Sequence, residues 1–97
     1  MMRRKVYRRC PEIASENTAS GAVLLSLKSG DYYELNSTGA YLWQLLRVRR
    51  TTEVLIEMFA KKCKISIPQS KKDVEIFLTR LSRAQIVQVE SGRDRAA

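Results

Sequence analysis

Two apolar runs of period two, joined through a glycine and followed at once by a helix signal, constrain this chain more than any other feature. GAVLLSL at 21–27 carries Val23, Leu25 and Leu27 at alternate positions, and GDYYELN at 30–36 follows after Lys28 and Ser29. Successive strand residues face opposite sides of a sheet, so the pair predicts a β-hairpin. A three-residue loop closed by a left-handed Gly30 sets Leu27 opposite Asp31. That register puts Val23, Leu25, Leu27, Tyr33 and Leu35 on the core face, and Leu24, Ser26, Tyr32 and Glu34 on the other. A two-residue turn at Ser29 and Gly30 would mix polar and apolar side chains on both faces and is less favoured. Tyr32 then carries its ring into solvent or towards a partner.

Asn36 or Ser37 offers a side-chain oxygen to the free amides of a first helix. The spacing predicts that helix to about Arg47, with Leu42, Trp43 and Leu46 buried and Leu45 flanking. Thr51 or Thr52 caps a second helix, in which Leu55, Met58 and Phe59 recur at helical spacing beside Val54 and Cys63. Pro68 suits the first turn of a third helix, because its missing amide would be unpaired there. Val74, Phe77, Leu78 and Leu81 form that helix's core stripe, and a short apolar run at 86–89 precedes a polar end. At ~100° per residue, Asp73, Ile76 and Arg80 cluster away from the stripe. A lone exposed isoleucine is ordinary. Beside an Asp and an Arg, and near a hairpin edge bearing Tyr32, it would line a shallow groove of peptide width.

The chain's 97 residues make one small domain. No apolar run approaches the ~20 residues that span a bilayer, and the basic start MMRRKVYRR has no apolar stretch behind it. A cytoplasmic protein without membrane contact is expected. Cys10 and Cys63 stand alone, far apart, and histidine is absent, so neither a metal site nor an activated nucleophile is expected. No cofactor is indicated. Of the net charge of +8, five units come from Arg3, Arg4, Lys5, Arg8 and Arg9, which reads as a solvated tail. Smaller basic clusters at Arg47, Arg49 and Arg50, and at Lys61, Lys62 and Lys64, keep nucleic acid as a rival partner.

In order, the hydrophobic strand, the glycine turn, GDYYELN, STGAYLW, a threonine-opened helix and KKDVEIFLTRL resemble the PqqD-like fold over about 12–89. More specifically they resemble the stand-alone RiPP recognition elements of lasso-peptide biosynthesis. The G-x-Y-Y-x-L-N run and the spacing of Asp73, Val74, Phe77 and Leu78 carry the resemblance. It implies an α+β, winged-helix-like domain: a three-stranded antiparallel sheet followed by three helices, with its first strand within 12–17. Basic residues 1–11 and polar residues 90–97 would be tails. It also implies no enzyme activity. The domain would bind the leader segment of a ribosomally made precursor peptide as an added strand. The implied site is Tyr32, Tyr33, Glu34 and Leu35 facing Asp73, Ile76, Phe77 and Arg80, with Lys72 adding charge. Implied partners are a separate cysteine-protease-like leader peptidase and, further on, the cyclase. The chain departs from the family pattern at Gln85, where glycine is usual.

The rival is a winged-helix DNA-binding protein whose third helix enters the major groove, with Lys71, Lys72, Arg80 and Arg83 on phosphates. It would bind with a steep salt dependence. Strand addition would respond to apolar anchors instead.

Overall fold

The computed structural model describes residues 4–92, which form six strands and three helices in the order β1 (Arg4–Arg9), β2 (Ile13–Thr18), β3 (Gly21–Ser26), β4 (Tyr32–Asn36), α1 (Ser37–Leu45), β5 (Arg50–Thr51), α2 (Thr52–Cys63), α3 (Ile67–Arg83) and β6 (Val87–Gly92). The expected antiparallel sheet is present, in the order β2-β3-β4. A second antiparallel sheet, β5-β1-β6, joins both ends of the described chain. Each helix opens on a polar cap: Asn36, Thr51 and Ser66 accept from the amides of Gly39, Val54 and Gln69. Their apolar stripes meet in one core around Trp43, Leu46, Leu55, Val74 and Leu78. Ser70, fully buried on α3, donates its hydroxyl to the Ile56 carbonyl at 2.7 Å and so pins α3 against α2.

The hairpin takes neither the three-residue loop nor the two-residue turn. Leu24 pairs with Tyr33 and Ala22 with Leu35, and Ser26 donates its amide to the Asp31 carbonyl, so the loop is 27–30. Gly30 does adopt the left-handed conformation, at φ 81°. The shift by one residue turns β3 over relative to the expectation. Ala22, Leu24 and Ser26 are buried, Val23 and Leu25 only partly, and Leu27 is exposed in the loop. Tyr33 and Leu35 do pack on the core, and Tyr32 and Glu34 are exposed. The polar Ser26 on the buried face is tolerated because its hydroxyl accepts the Ser29 amide at 3.2 Å. Gly21 permits the pairing at the far end, since a Cβ there would fall 1.8 Å from the Leu35 carbonyl oxygen.

The basic start of the chain is not a tail where it is described. Arg4–Arg9 is a strand paired along its whole length with Val87–Gly92, which also takes residues 90–92 out of the expected C-terminal tail. Of the remaining expected tail residues, Cys10 and Pro11 lie in the connection from β1 to β2, and 1–3 and 93–97 lie outside the described part. Arg9 explains why the pairing matters. Its guanidinium lies 3.9 Å from the centroid of the Trp43 ring and donates to the Trp43 carbonyl at 2.5 and 3.2 Å. Arg50 donates to the Leu45 carbonyl at 2.6 Å. Helix α1 has no basic residue in its own last turn. Two arginines from β1 and β5 therefore reinforce the C-terminus of α1, Arg50 on the Leu45 carbonyl and Arg9 on a Trp43 carbonyl that also accepts the Leu46 amide at 3.1 Å. Burial, aided by neighbouring Arg47, lowers the pKa of Arg9.

Gln85 follows α3 at φ 62°, in the left-handed region that favours glycine, while Ile86 donates back to the Leu81 carbonyl. The departure noted at this position is thus a glycine conformation held by a glutamine.

Two stability predictions follow from these contacts. Arg9→Ala should lower the unfolding free energy by about 2 kcal/mol in a denaturant titration, and Arg9→Lys should recover only part of that, because an ammonium lacks the planar fork. Gln85→Gly should raise it by roughly 0.5–1 kcal/mol.

Candidate functional site

β4 is the outer strand of its sheet, and its far edge has no partner among the described residues. The Ser26 to Asp31 hydrogen bond fixes which groups face which way. Donors and acceptors alternate along an antiparallel strand, so the amides and carbonyls of Tyr32 and Glu34 point away from β3. Across from this edge lies α3. Between them is a groove of about 1180 Å³, floored by Leu42, Phe59 and Phe77 and walled by Tyr32, Leu35 and Ile76.

The two outermost apolar side chains are conspicuously free. Tyr32 is 69% exposed and Ile76 51%. Ile76 is exposed because Val74, Leu78 and Leu81 take up the core side of α3. The rim is charged: Glu34, Asp73, Arg80 and Arg83 line the groove, and none of them forms an ion pair among the described residues. Asp73 is held by Gln69, whose side-chain amide donates to it at 2.9 Å.

Of the residues expected from the sequence, Tyr32, Tyr33, Glu34, Leu35, Asp73, Ile76, Phe77 and Arg80 meet in this groove. Lys72 is exposed on α3 and does not line it. Sequence reasoning missed Gly39, Cys63, Ile65 and Arg83. Gly39 had a signal, being a glycine inside a helix; a Cβ there would lie 3.5 Å from Phe77 Cε1. Ile65 carried a weaker one, an apolar residue beyond the end of the α2 stripe.

A second cavity of about 690 Å³ adjoins the groove through Tyr33, Arg83 and Ala84 and runs under the hairpin loop beside Cys10. Burial pushes the Cys10 thiol pKa up. Both cysteines are free thiols. Among the described residues no group of three or more His, Cys, Asp and Glu side chains could hold a metal ion.

An α+β domain with helix-capped, winged-helix-like topology and one open sheet edge facing an amphipathic helix is the class that fold and groove define. The model of one family, coenzyme PQQ synthesis protein D (PqqD), matches residues 21–87, and the chain belongs to that family. Among solved structures it is similar to TbiB1 in complex with the TbiA(beta) leader peptide, with 22% identity and a TM-score of 0.77 over 84% of this chain and 94% of that one. It is similar to a lasso peptide synthetase B1 complexed with the leader peptide, with 26% identity and a TM-score of 0.73 over 84% and 96%. A third is the PqqD truncation of Methylobacterium extorquens PqqCD, described as a functional and stand-alone RiPP recognition element, with 14% identity and a TM-score of 0.71 over 86% and 88%. The first and third bear on the fold alone. No curated protein matches the sequence.

An open edge has a measurable signature. In amide hydrogen exchange the amides of Tyr32 and Glu34 should exchange much faster than those of Tyr33 and Leu35, which point to β3. Equal protection along β4 would mean that its edge is covered.

Proposed function

We propose that this chain binds the leader segment of a ribosomally synthesised precursor peptide, a lasso-peptide precursor in the first instance, by strand addition at β4. The single observation that carries this reading is the β4 edge, unpaired among the described residues, facing α3 across a groove of about 1180 Å³. Family membership and the leader-bound lasso peptide synthetase B1 of similar fold support it. Free amides and carbonyls of Tyr32 and Glu34 supply backbone pairing, which any extended peptide could use. Selectivity then comes from side chains of the peptide that pack against Tyr32, Tyr33, Leu35, Ile76 and Phe77. Glu34, Asp73 and Arg80 orient its charges, and Lys72 acts only as a nearby positive charge.

Magnitudes set the expected affinity. Two or three apolar anchors contribute roughly 1.5–3 kcal/mol each. Ordering the leader opposes this by about 2–5 kcal/mol. A dissociation constant on the order of micromolar or somewhat tighter follows.

Within this reading the protein is an adaptor and does no chemistry. It holds the precursor by its leader for a separate cysteine-protease-like peptidase, after which a cyclase closes the ring, all in the cytoplasm. The raised pKa of Cys10 fits that role, since a nucleophilic cysteine needs its thiolate favoured. No described helix is long and apolar enough to cross a membrane.

The DNA-binding alternative is not favoured. Arg80 and Arg83 share their groove with Glu34 and Asp73, carboxylates that would repel a phosphate backbone. Parallel titration of a fluorescent leader peptide, copied from a precursor encoded beside this protein, and of a labelled DNA duplex separates the two. Tyr32→Ala and Ile76→Asp should each weaken the peptide by about tenfold to a hundredfold, with only mild dependence on salt. Duplex binding lost on Lys71→Glu with Lys72→Glu, and no peptide binding, would favour the rival.

A further inference from the structure

Glu34 lies midway along β4, but the charges that α3 brings to the groove are segregated along it. Helix α3 runs antiparallel to β4. Phe77 Cε1 lies 3.5 Å from the Cβ position of Gly39, just past the end of β4, whereas Arg83 and Ala84 line one cavity with Tyr33, near its start. Asp73 therefore stands towards the Asn36 end of the groove, and Arg80 and Arg83 stand towards the Tyr32 end. Ile76 and Phe77 lie between them. None of the three charged residues is neutralised by an ion pair among the described residues.

The spacing suits an extended chain. At ~1.5 Å rise per residue, Asp73 is about 10 Å from Arg80 and about 15 Å from Arg83 along the helix axis. A strand advances ~3.4 Å per residue, so side chains on one face recur every ~7 Å. Three successive side chains facing α3 then meet Asp73, the Ile76 and Phe77 patch, and the arginine pair in turn. The carbonyl end of α3 weakens the arginine field by about half a charge, which two guanidinium groups exceed.

We propose that the groove reads the order of charges in its ligand. It selects an extended segment, antiparallel to β4, with a cation at one position, an apolar side chain two residues later and an anion two residues after that. This deepens the strand-addition reading and rests on it. The antiparallel direction continues the pattern of β2-β3-β4 and is the more stable pairing per residue. The selected class is therefore a peptide of Lys/Arg-x-apolar-x-Asp/Glu pattern, and the reversed order is rejected by two like-charge encounters.

Three fluorescent synthetic peptides in one Thr/Val host sequence test this: a Lys-Thr-Leu-Thr-Glu core, the reversed Glu-Thr-Leu-Thr-Lys core, and a Gln-Thr-Leu-Thr-Gln control. The Lys-first peptide should bind about tenfold tighter than the reversed one, with the control between, and added salt should narrow the gap. A variant carrying Asp73→Lys, Arg80→Glu and Arg83→Glu should invert the preference. Fast exchange retained at the Tyr32 and Glu34 amides, with an unfolding midpoint equal to that of the unaltered protein, shows that this variant keeps its fold and its open edge. Equal binding of all three peptides, still abolished by Ile76→Asp, would overturn charge reading and leave strand addition standing. Preference of the unaltered protein for the reversed peptide would likewise overturn the proposal. Failure of all three peptides, together with failure of the precursor's own leader, would overturn both.

Discussion

The architecture depends on how the chain leaves β4. Asn36 is the last residue of the strand and the cap of α1, its side-chain oxygen accepting the Gly39 amide at 2.9 Å. No loop separates strand from helix, so the backbone turns out of the sheet plane at the point where a further strand would otherwise begin to fold back. A β-meander that continued would have sealed β4. Here the next strand, β5, is only Arg50–Thr51 and pairs with β1 in the other sheet. The open edge is thus a consequence of one capping interaction and of where the following strand finds its partner.

The facing wall is held just as locally. Helix α3 presents Val74, Leu78 and Leu81 to the core, and the buried Ser70 hydroxyl ties it to the α2 backbone. A stripe that wide leaves the flank bearing Asp73, Ile76 and Arg80 turned out of the core and towards β4. The second sheet completes the scaffold from behind. β1 carries Arg9 onto the Trp43 ring and the end of α1, and β6 follows α3 directly after the left-handed turn at Gln85. Both walls of the groove are therefore anchored at their far ends, by residues that never touch it.

Helices, caps and core stripes were legible because each is written in local spacing: Asn36, Thr51, Pro68 and the Val74 to Leu81 stripe announce themselves within a few residues. Strand register was not, because Val23, Leu24 and Leu25 are all apolar and either parity gives a plausible face. The decision falls to small residues, Ala22 and Ser26, whose fit under the helices is a property of tertiary packing. β1 was illegible for a different reason. Its pairing with β6 is made by backbone groups, and its long basic side chains can bury their stems while keeping charge at the surface, so the pattern looks solvated. On the groove, Tyr32 and Ile76 could be found because they break the pattern of the elements that carry them. Cys63 and Arg83 could not, since they enter it only once three helices are packed.

An open edge lined with apolar side chains is also a hazard, because a second copy of the same strand is an available partner. The charges answer that hazard and the need for selectivity together. Glu34 is the central residue of the five-residue strand Tyr32–Asn36, so a symmetric antiparallel pairing of two β4 edges brings Glu34 against its own copy. A flexible foreign peptide that carries no acid opposite Glu34 meets no such obstacle. The groove can therefore remain greasy enough to hold a ligand while its rim discourages self-association, and the features that make β4 safe to leave open are those that decide what may close it.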